Sequence, residues 1–312
     1  MLVEAVFEDI NEAKENMDSI YDQPDPRAYF RELNKLDYAI PDTAKPIFQK
    51  LIGHLQQRRD NTIQVLDLGC SYGVNAAILK HDLSMDELYE HWGQNKMADT
   101  TSEEVVAYDQ QFYAGADNHE DIEVIGLDQA ENAIAFAMET GLLDGGIVAN
   151  LETDPLSTMA KKTLGQVDLV TSTGCVGYLT EKSFDRFLPA VSEGQMPWIA
   201  NFVLRLFPFD AIEKSLDKWG YVTEKLEGQT FYQRQFASDD EHDQVLEQLH
   251  DQGVDPAGKE TEGHFLAEFY LSRSMKDAAE VPIERLLLPA SLQRQKTFQR
   301  QGCQELQTTQ AG

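Results

Sequence analysis

The stretch VLDLGCSYG, residues 65–73, decides how this chain is read. An apolar run ends in an acid, Asp67, and passes into a turn with glycines at 69 and 73. Backbone N–H groups at a strand-to-helix turn form a concavity for a ligand, and glycine lets that ligand approach the main chain where a Cβ would block it. No Lys-Ser or Lys-Thr follows the turn, so it is not a GxxxxGK[ST] phosphate loop. Nor is it the dinucleotide fingerprint GxGxxG: laid on Gly69, that pattern needs glycine where Ser71 and Val74 stand. The spacing acid-x-Gly-x-Gly-x-Gly fits better, met by Asp67, Gly69 and Gly73 with the small Ser71 in place of the middle glycine.

Outward from this turn, seven β-rich runs alternate with helical patterns, at 62–68, 122–127, 146–150, 167–172, 198–207, 221–226 and 264–273. Alternation of this kind predicts an α/β fold with a mostly parallel sheet and helices on both faces. Residues 1–60 read as a helical N-terminal cap or lid around the breaks DQPDP and IPDTAKP. The main domain then covers 61–274, interrupted by insertions at 81–121 and 229–262, and 275–312 form a C-terminal tail. The second insertion contains SDDEHDQVLEQLHDQG, a capped helix closed by Gly253. An alternative second strand, VVAYD ending in Asp109, is weaker because no helical pattern follows it.

With these strand ends in order, the chain resembles the class I S-adenosylmethionine-dependent methyltransferases, whose first motif has this form after the first strand. The resemblance spans roughly 62–273 and is densest between 65 and 180. It implies a Rossmann-like, seven-stranded sheet that binds S-adenosyl-L-methionine. Asp67, Gly69, Cys70, Ser71 and Gly73 are then the first cofactor motif. Asp128, at the tip of IEVIGLD and followed by Gln129, would accept both ribose hydroxyls, and a carboxylate there tells against a 2′-phosphorylated cofactor. The interval from Gly73 to Asp128 exceeds the roughly 20 residues usual in dinucleotide folds, so the first insertion must absorb the excess. Asn150 would meet the adenine amino group and Leu151 cover the ring. Asp168 opens the fourth strand, VDLVTSTGCVGYL, which leaves Ser172, Thr173 and Gly174 at the ligand crevice. Structural roles compete: Asp67 as a strand-end cap, Asp128 as a helix N-cap, Gly174 and Gly177 as turn formers. Their order on successive strand ends favours the cofactor.

A sulfonium methyl is already activated, so the enzyme must mainly align the nucleophile and exclude water. A general base matters only for a nucleophile protonated at working pH. No Asn-Pro-Pro-Tyr run follows the fourth strand, which removes the usual sign of amide or base-amino methylation. The expected acceptor is the O or N atom of a small molecule. Candidate residues around it are Tyr178 just past the fourth strand, Tyr29 in a tyrosine-rich flap with Tyr21, Arg27, Asp37 and Tyr38, and Arg205. Arg205 interrupts an apolar strand and needs a partner, either an acid of the lid or insertion or a substrate carboxylate. Trp92, Tyr108, Phe112 and Tyr113 would line an apolar acceptor pocket or pack a helical core. Cys70 and Cys175 flank the cleft as small buried fillers.

Charge and cysteine usage narrow the partners. Against 26 Lys and Arg stand 54 Asp and Glu, a formal charge of −28 that repels phosphate backbones and anionic lipid surfaces. This acidity serves solubility or a preference for cationic substrates. Cys70, Cys175 and Cys303 form no CxxC pair and no zinc spacing, and no metal is expected. An acidic N-terminus and the lack of any run of about 18 apolar residues predict a soluble, cytoplasmic protein; a homodimer is left open. Three alternatives remain: a protein or RNA methyltransferase of the same fold, a non-catalytic S-adenosylmethionine-binding protein, and an NAD-dependent oxidoreductase, which the failed fingerprint disfavours.

Overall fold

The computed structural model of the protein describes Asn11, Lys14 and residues 17–59, 61–94, 100–192 and 195–287. Cys303 and the tail beyond 287 lie outside the described residues. The sheet is built around β1 (Ile63–Leu68), whose residues are buried apart from the half-buried Gln64. A strand covered on both faces reads as a continuous apolar run, and VLDL does so up to its acid. Parallel to β1 lie β2 (Ile122–Asp128) on one side and β4 (Leu169–Thr173) on the other. β3 (Gly145–Val148) closes one edge, and the fully buried β5 (Trp198–Leu204) continues the other.

Beyond β5 the direction reverses. β8 (His264–Ser274) runs antiparallel to β5, and its far side carries β6 (Tyr221–Lys225) on one half and β7 (Phe231–Gln235) on the other. The order is β3-β2-β1-β4-β5-β8-β6, with β7 pairing β8. The chain therefore winds one way from β1 and the other way from β4. Doubly wound Rossmann-like sheets bind ligands at that reversal, outside the carboxyl ends of the strands.

The seven expected strands are all present, and β7 is an eighth that lies in what reads as an insertion. Its FYQRQ alternates weakly and carries two Gln and an Arg, so period alone does not mark it. Its ladder breaks between Tyr232 and Arg234, which leaves Gln233 unpaired as a β-bulge. Bulges re-aim a side chain and recur beside active sites.

Helices cover the sheet. In the N-terminal region, α1 (Arg27–Asn34) and α2 (Ile40–Gln56) are amphipathic, and α2 packs against β1, β4, β7 and α3 (Val74–Lys80). Between α3 and β2 stand α4 (Met85–Trp92) and α5 (Ser102–Ala114), each opened by a capping box, Ser84 with Glu87 and Thr101 with Glu104. VVAYD lies inside α5, so the alternative second strand is a helix. Then follow α6 (Glu131–Glu139), α7 (Thr158–Leu164), α8 (Glu181–Val191) and α9 (Asp210–Lys218). After β7 comes α10 (Asp239–Asp251), N-capped by Ser238 as its sequence predicts. α11 (Met275–Glu280) and α12 (Ile283–Leu287) end the described chain.

Candidate active site

A cavity of about 760 Å³ opens at the carboxyl ends of β1 to β4. That volume is within the range of small-molecule and cofactor sites, roughly 300–1,000 Å³. The glycine turn forms its floor. Gly69 has φ 67°, and a Cβ there would stand 2.6 Å from the Cβ of Cys175, so both backbone conformation and space demand glycine. Ser71, the substitute for the middle glycine, keeps a left-handed φ of 47°. Its Oγ is buried without a partner in the wall of the cavity.

Two residues of the first motif support the turn without lining the cavity. Gly73, at φ 79°, N-caps α3 and lies against Ala137 and Leu142, where a Cβ would come within 3.2 and 3.4 Å. Asp67 lies under the turn, accepting from Asn75 Nδ2 at 2.9 Å and Thr171 Oγ1 at 3.1 Å, while its Oδ2 has no partner. Burial pushes its carboxyl up to about 7 against those two hydrogen bonds. Asn75 also donates to Thr173 Oγ1 at 3.0 Å, tying the tips of β1 and β4 together.

At the tip of β2, Asp128 Oδ2 accepts from the Ser71 N–H at 2.9 Å and Oδ1 from the Ala130 N–H at 3.0 Å. Burial raises its carboxyl above the usual range, opposed by those backbone donors. Asp128 is not the N-cap of α6, which is Ala130; it accepts from the backbone just ahead of that helix and stands in the cavity wall, and each of its carboxylate oxygens retains a lone pair. Beyond it, Asn150 Nδ2 donates to Gln129 Oε1 at 3.0 Å, and the buried Leu151 stands beside them in the wall. Glu152 accepts from Thr180 N–H, Thr180 Oγ1 and Ser183 Oγ at 2.8, 2.9 and 2.5 Å.

The N-terminal segment closes the opposite side. Tyr72, inside the glycine turn, accepts from the Gln23 N–H at 2.7 Å and donates to the Gln23 carbonyl at 2.9 Å. Asp22 accepts from the Asn132 N–H at 2.8 Å at the start of α6. Tyr21, Tyr29 and Tyr38 line the cavity, and burial holds the hydroxyls of Tyr29 and Tyr38 protonated well above the usual tyrosine range. Tyr178, half exposed, is in the same wall with Lys14 Nζ 4.7 Å from its ring centroid.

Of the residues expected from sequence, Gly69, Cys70, Ser71, Asp128, Gln129, Asn150, Leu151, Thr173, Tyr29 and Tyr178 meet in this cavity. Arg205 does not, and its assignment to substrate is corrected: its guanidinium is paired with Glu260 in the second insertion and donates to the Asp255 carbonyl at 2.8 Å. Asp168 lies at the amino end of its strand, accepting from Gln64 N–H at 3.0 Å and pairing with Arg59. Trp92, Phe112 and Tyr113 are core residues rather than cavity lining, stacked on Phe30, His91 and His81 respectively. Cys70 and Cys175 both line the cavity, and burial pushes their thiols up, Cys175 to about 12, which leaves neither as a thiolate nucleophile.

Sequence reading missed Lys14, Asn75, Gln233 and Arg234, all in the cavity wall. Asn75 had a signal in its place, two residues into the helix that follows the glycine turn. Lys14 also had one: it is the sole basic residue ahead of Arg27. Gln233 and Arg234 had none, because the bulge that aims them is a property of the β7–β8 pairing.

The strand order, the glycine turn and Asp128 at the neighbouring strand tip define a doubly wound, Rossmann-like fold. No family model and no curated protein matches the chain. Among solved structures it is similar to S-adenosylmethionine-dependent methyltransferases. A TehB-like SAM-dependent methyltransferase from Corynebacterium glutamicum is 14% identical over 71% of this chain and 86% of that one, at a TM-score of 0.35. The plantazolicin methyltransferase BamL, in complex with a triazolic desmethylPZN analog and SAH, is 13% identical over 87% and 98%, at 0.44. The magnesium protoporphyrin IX methyltransferase of Synechocystis, with bound SAM, is 11% identical over 74% and 80%, at 0.34. Among the described residues, no helix is long and apolar enough to cross a membrane.

Proposed function

We propose that the chain is an S-adenosylmethionine-dependent methyltransferase acting on an O or N atom of a small molecule, in an intracellular compartment where its thiols stay reduced. One observation carries the reading: a carboxylate at the β2 tip and the backbone of the β1 turn are hydrogen-bonded to each other in the wall of one cavity. The residues present fit the donor. Asp128 keeps lone pairs for ribose hydroxyls, Ser71 Oγ needs a partner, and Leu151 offers an apolar surface beside the Gln129–Asn150 pair. When bound, S-adenosylmethionine supplies a methyl group that needs no further activation.

The chain's own part is then positional. Tyr29 and Tyr178 flank the remaining space and orient the acceptor, while the segment held by Tyr72 and Asp22 keeps water from the cleft. Both thiols and the buried tyrosine hydroxyls hold their protons at neutral pH, so a general base among them is not part of this reading. A net charge of −28 disfavours RNA as the acceptor.

Isothermal titration tests the donor: S-adenosylhomocysteine should bind in the micromolar range and NAD should not, and the reverse would remove the reading. Incubating the protein and methyl-labelled donor with a cell extract tests the acceptor class. Label should pass a size-exclusion filter; label retained with protein or RNA would transfer the reading to a macromolecular acceptor.

A further inference from the structure

The charged groups that line the cavity are not spread evenly: of its two cations, Arg234 is bonded to a carboxylate, and among the described residues Lys14 is not. Arg234, on β7, is neutralised by Glu241 through two hydrogen bonds of 2.7 and 3.0 Å. Glu152 is satisfied by three donors, and Asp128 by two backbone N–H groups on the nucleoside side. Lys14 differs. Among the described residues no carboxylate lies within ion-pair distance of its Nζ, which rests 3.4 Å from the Tyr178 hydroxyl and over the rings of Tyr178 and Phe207 at 4.7 and 5.4 Å. Burial and the nearby Arg234 push its ammonium down to about 8, against a smaller upward pull from Glu241, the carboxylate bonded to Arg234. A cation that has lost hydration and shares only a carboxylate bonded to another cation is stabilised by a ligand that brings an anion into contact with it.

The bulge at Gln233 points to the same place. Its side chain abuts Gly174, where a Cβ would collide with the amide nitrogen, and Gly174 is in the left-handed region at φ 86°. The backbone carbonyl of Gln233 is occupied by the Ala39 N–H at 2.8 Å, while its side-chain amide lines the cavity. An irregular strand thus holds a neutral donor near the β4 tip, in the wall that Lys14 and Tyr178 also form.

Resting on the methyltransferase reading, we propose that the methyl acceptor carries a carboxylate, held by the Lys14 ammonium and the Gln233 amide on the side of the cavity away from the nucleoside. Among the described residues Lys14, Arg234 and Glu241 together carry one net positive charge, so a carboxylate matches the site where a phosphate dianion would leave a buried charge uncompensated. Tyr29, Tyr38 and Leu33 give the rest of the acceptor an apolar, ring-lined bed. Asp22, Asp128, Glu152 and Asp154 also line the cavity, so the anion is drawn to Lys14 and Gln233 and not to the pocket as a whole.

Benzoate, benzamide and phenyl phosphate are matched probes with one ring and different charge. Each is titrated into the full chain with and without saturating S-adenosylhomocysteine. Benzoate should bind at least tenfold tighter than benzamide or phenyl phosphate. Lys14→Gln should bring benzoate and benzamide within twofold, Lys14→Arg should keep the preference, and Gln233→Leu should reduce it. S-adenosylhomocysteine affinity should be the same in all of them, which also reports folding. The proposal is overturned by equal binding of benzoate and benzamide, by a preference that survives Lys14→Gln, by tighter binding of phenyl phosphate, or by no benzoate binding up to about 10 mM. Failure of S-adenosylhomocysteine to bind sinks the methyltransferase reading instead, and the benzoate preference is still measurable in its absence.

Discussion

The backbone N–H of Ser71 donates to Asp128 Oδ2 at 2.9 Å, joining the turn after β1 to the tip of β2. The same carboxylate accepts from the Ala130 N–H at 3.0 Å, fixing the turn that leads into the next helix. Asp128 therefore shapes the turn as well as facing the proposed ligand. Asp128→Ala should weaken S-adenosylhomocysteine binding at least tenfold, since hydrogen bonds to a charged group are worth roughly 1.5–3 kcal/mol each. It should also lower the melting temperature, because two backbone donors lose their acceptor. Asp128→Asn keeps one oxygen acceptor and separates the effects: affinity should fall with a smaller loss of stability. Unaltered affinity in both variants would remove Asp128 from the cofactor site.

Ser71 holds a left-handed backbone with a non-glycine side chain and an unpartnered buried hydroxyl. Glycine removes both costs while adding freedom to the unfolded chain, and the strain of an L-residue there, roughly 1–2 kcal/mol, outweighs that added freedom. Ser71→Gly should therefore raise thermal stability by about 1 kcal/mol. If Ser71 Oγ meets the cofactor, the same variant should bind S-adenosylhomocysteine less tightly. A gain in both stability and affinity would mean that the hydroxyl makes no contact with the ligand.

Asp67 gives a pH dependence with a definite sign. Its folded value, raised by burial from 3.8 to about 7, lies above its unfolded value. The protonated carboxyl is thus the form the fold favours: its contribution is complete below the unfolded value and is lost as pH rises through about 7. Asp67→Asn keeps an oxygen for Asn75 and Thr171 and places an uncharged group where Oδ2 has no partner. Between pH 5 and pH 8 the variant should gain stability relative to the parent, by on the order of a few kcal/mol. Urea midpoints at the two pH values measure this, and parallel shifts in parent and variant would contradict it.

The sequence carried the local half of this site. The apolar strands, the Ser238 cap of α10 and the glycine turn are set by neighbours a few residues apart, and the structure has them where period and turn chemistry predict. Asp128 was legible because an acid at a strand tip next to a helix start is a short-range pattern. What was not legible depends on distant pairing. Gln233 reaches the cavity through a bulge in β7 against β8, and the neutralisation of Arg234 by Glu241 depends on how α10 packs. Arg205 shows the converse: a charge inside an apolar run needs a partner, but only the fold tells that Glu260, and not a ligand, supplies it.

Arg205 and Glu260 are both buried, on β5's end and in the second insertion, and Arg205 also holds the Asp255 carbonyl. Removing one partner of a buried pair strands the other's charge, which costs about 3–5 kcal/mol. Arg205→Met should therefore destabilise the protein by about that amount, as should Glu260→Gln to a lesser degree because its amide still has a hydrogen-bonding oxygen. Arg205→Met with Glu260→Met removes both charges and should recover most of the loss. At a temperature where each variant is folded, S-adenosylhomocysteine affinity and benzoate affinity should match the parent, since neither residue lines the cavity. A large selective loss of benzoate binding in a folded Arg205→Met protein would return Arg205 to the acceptor site.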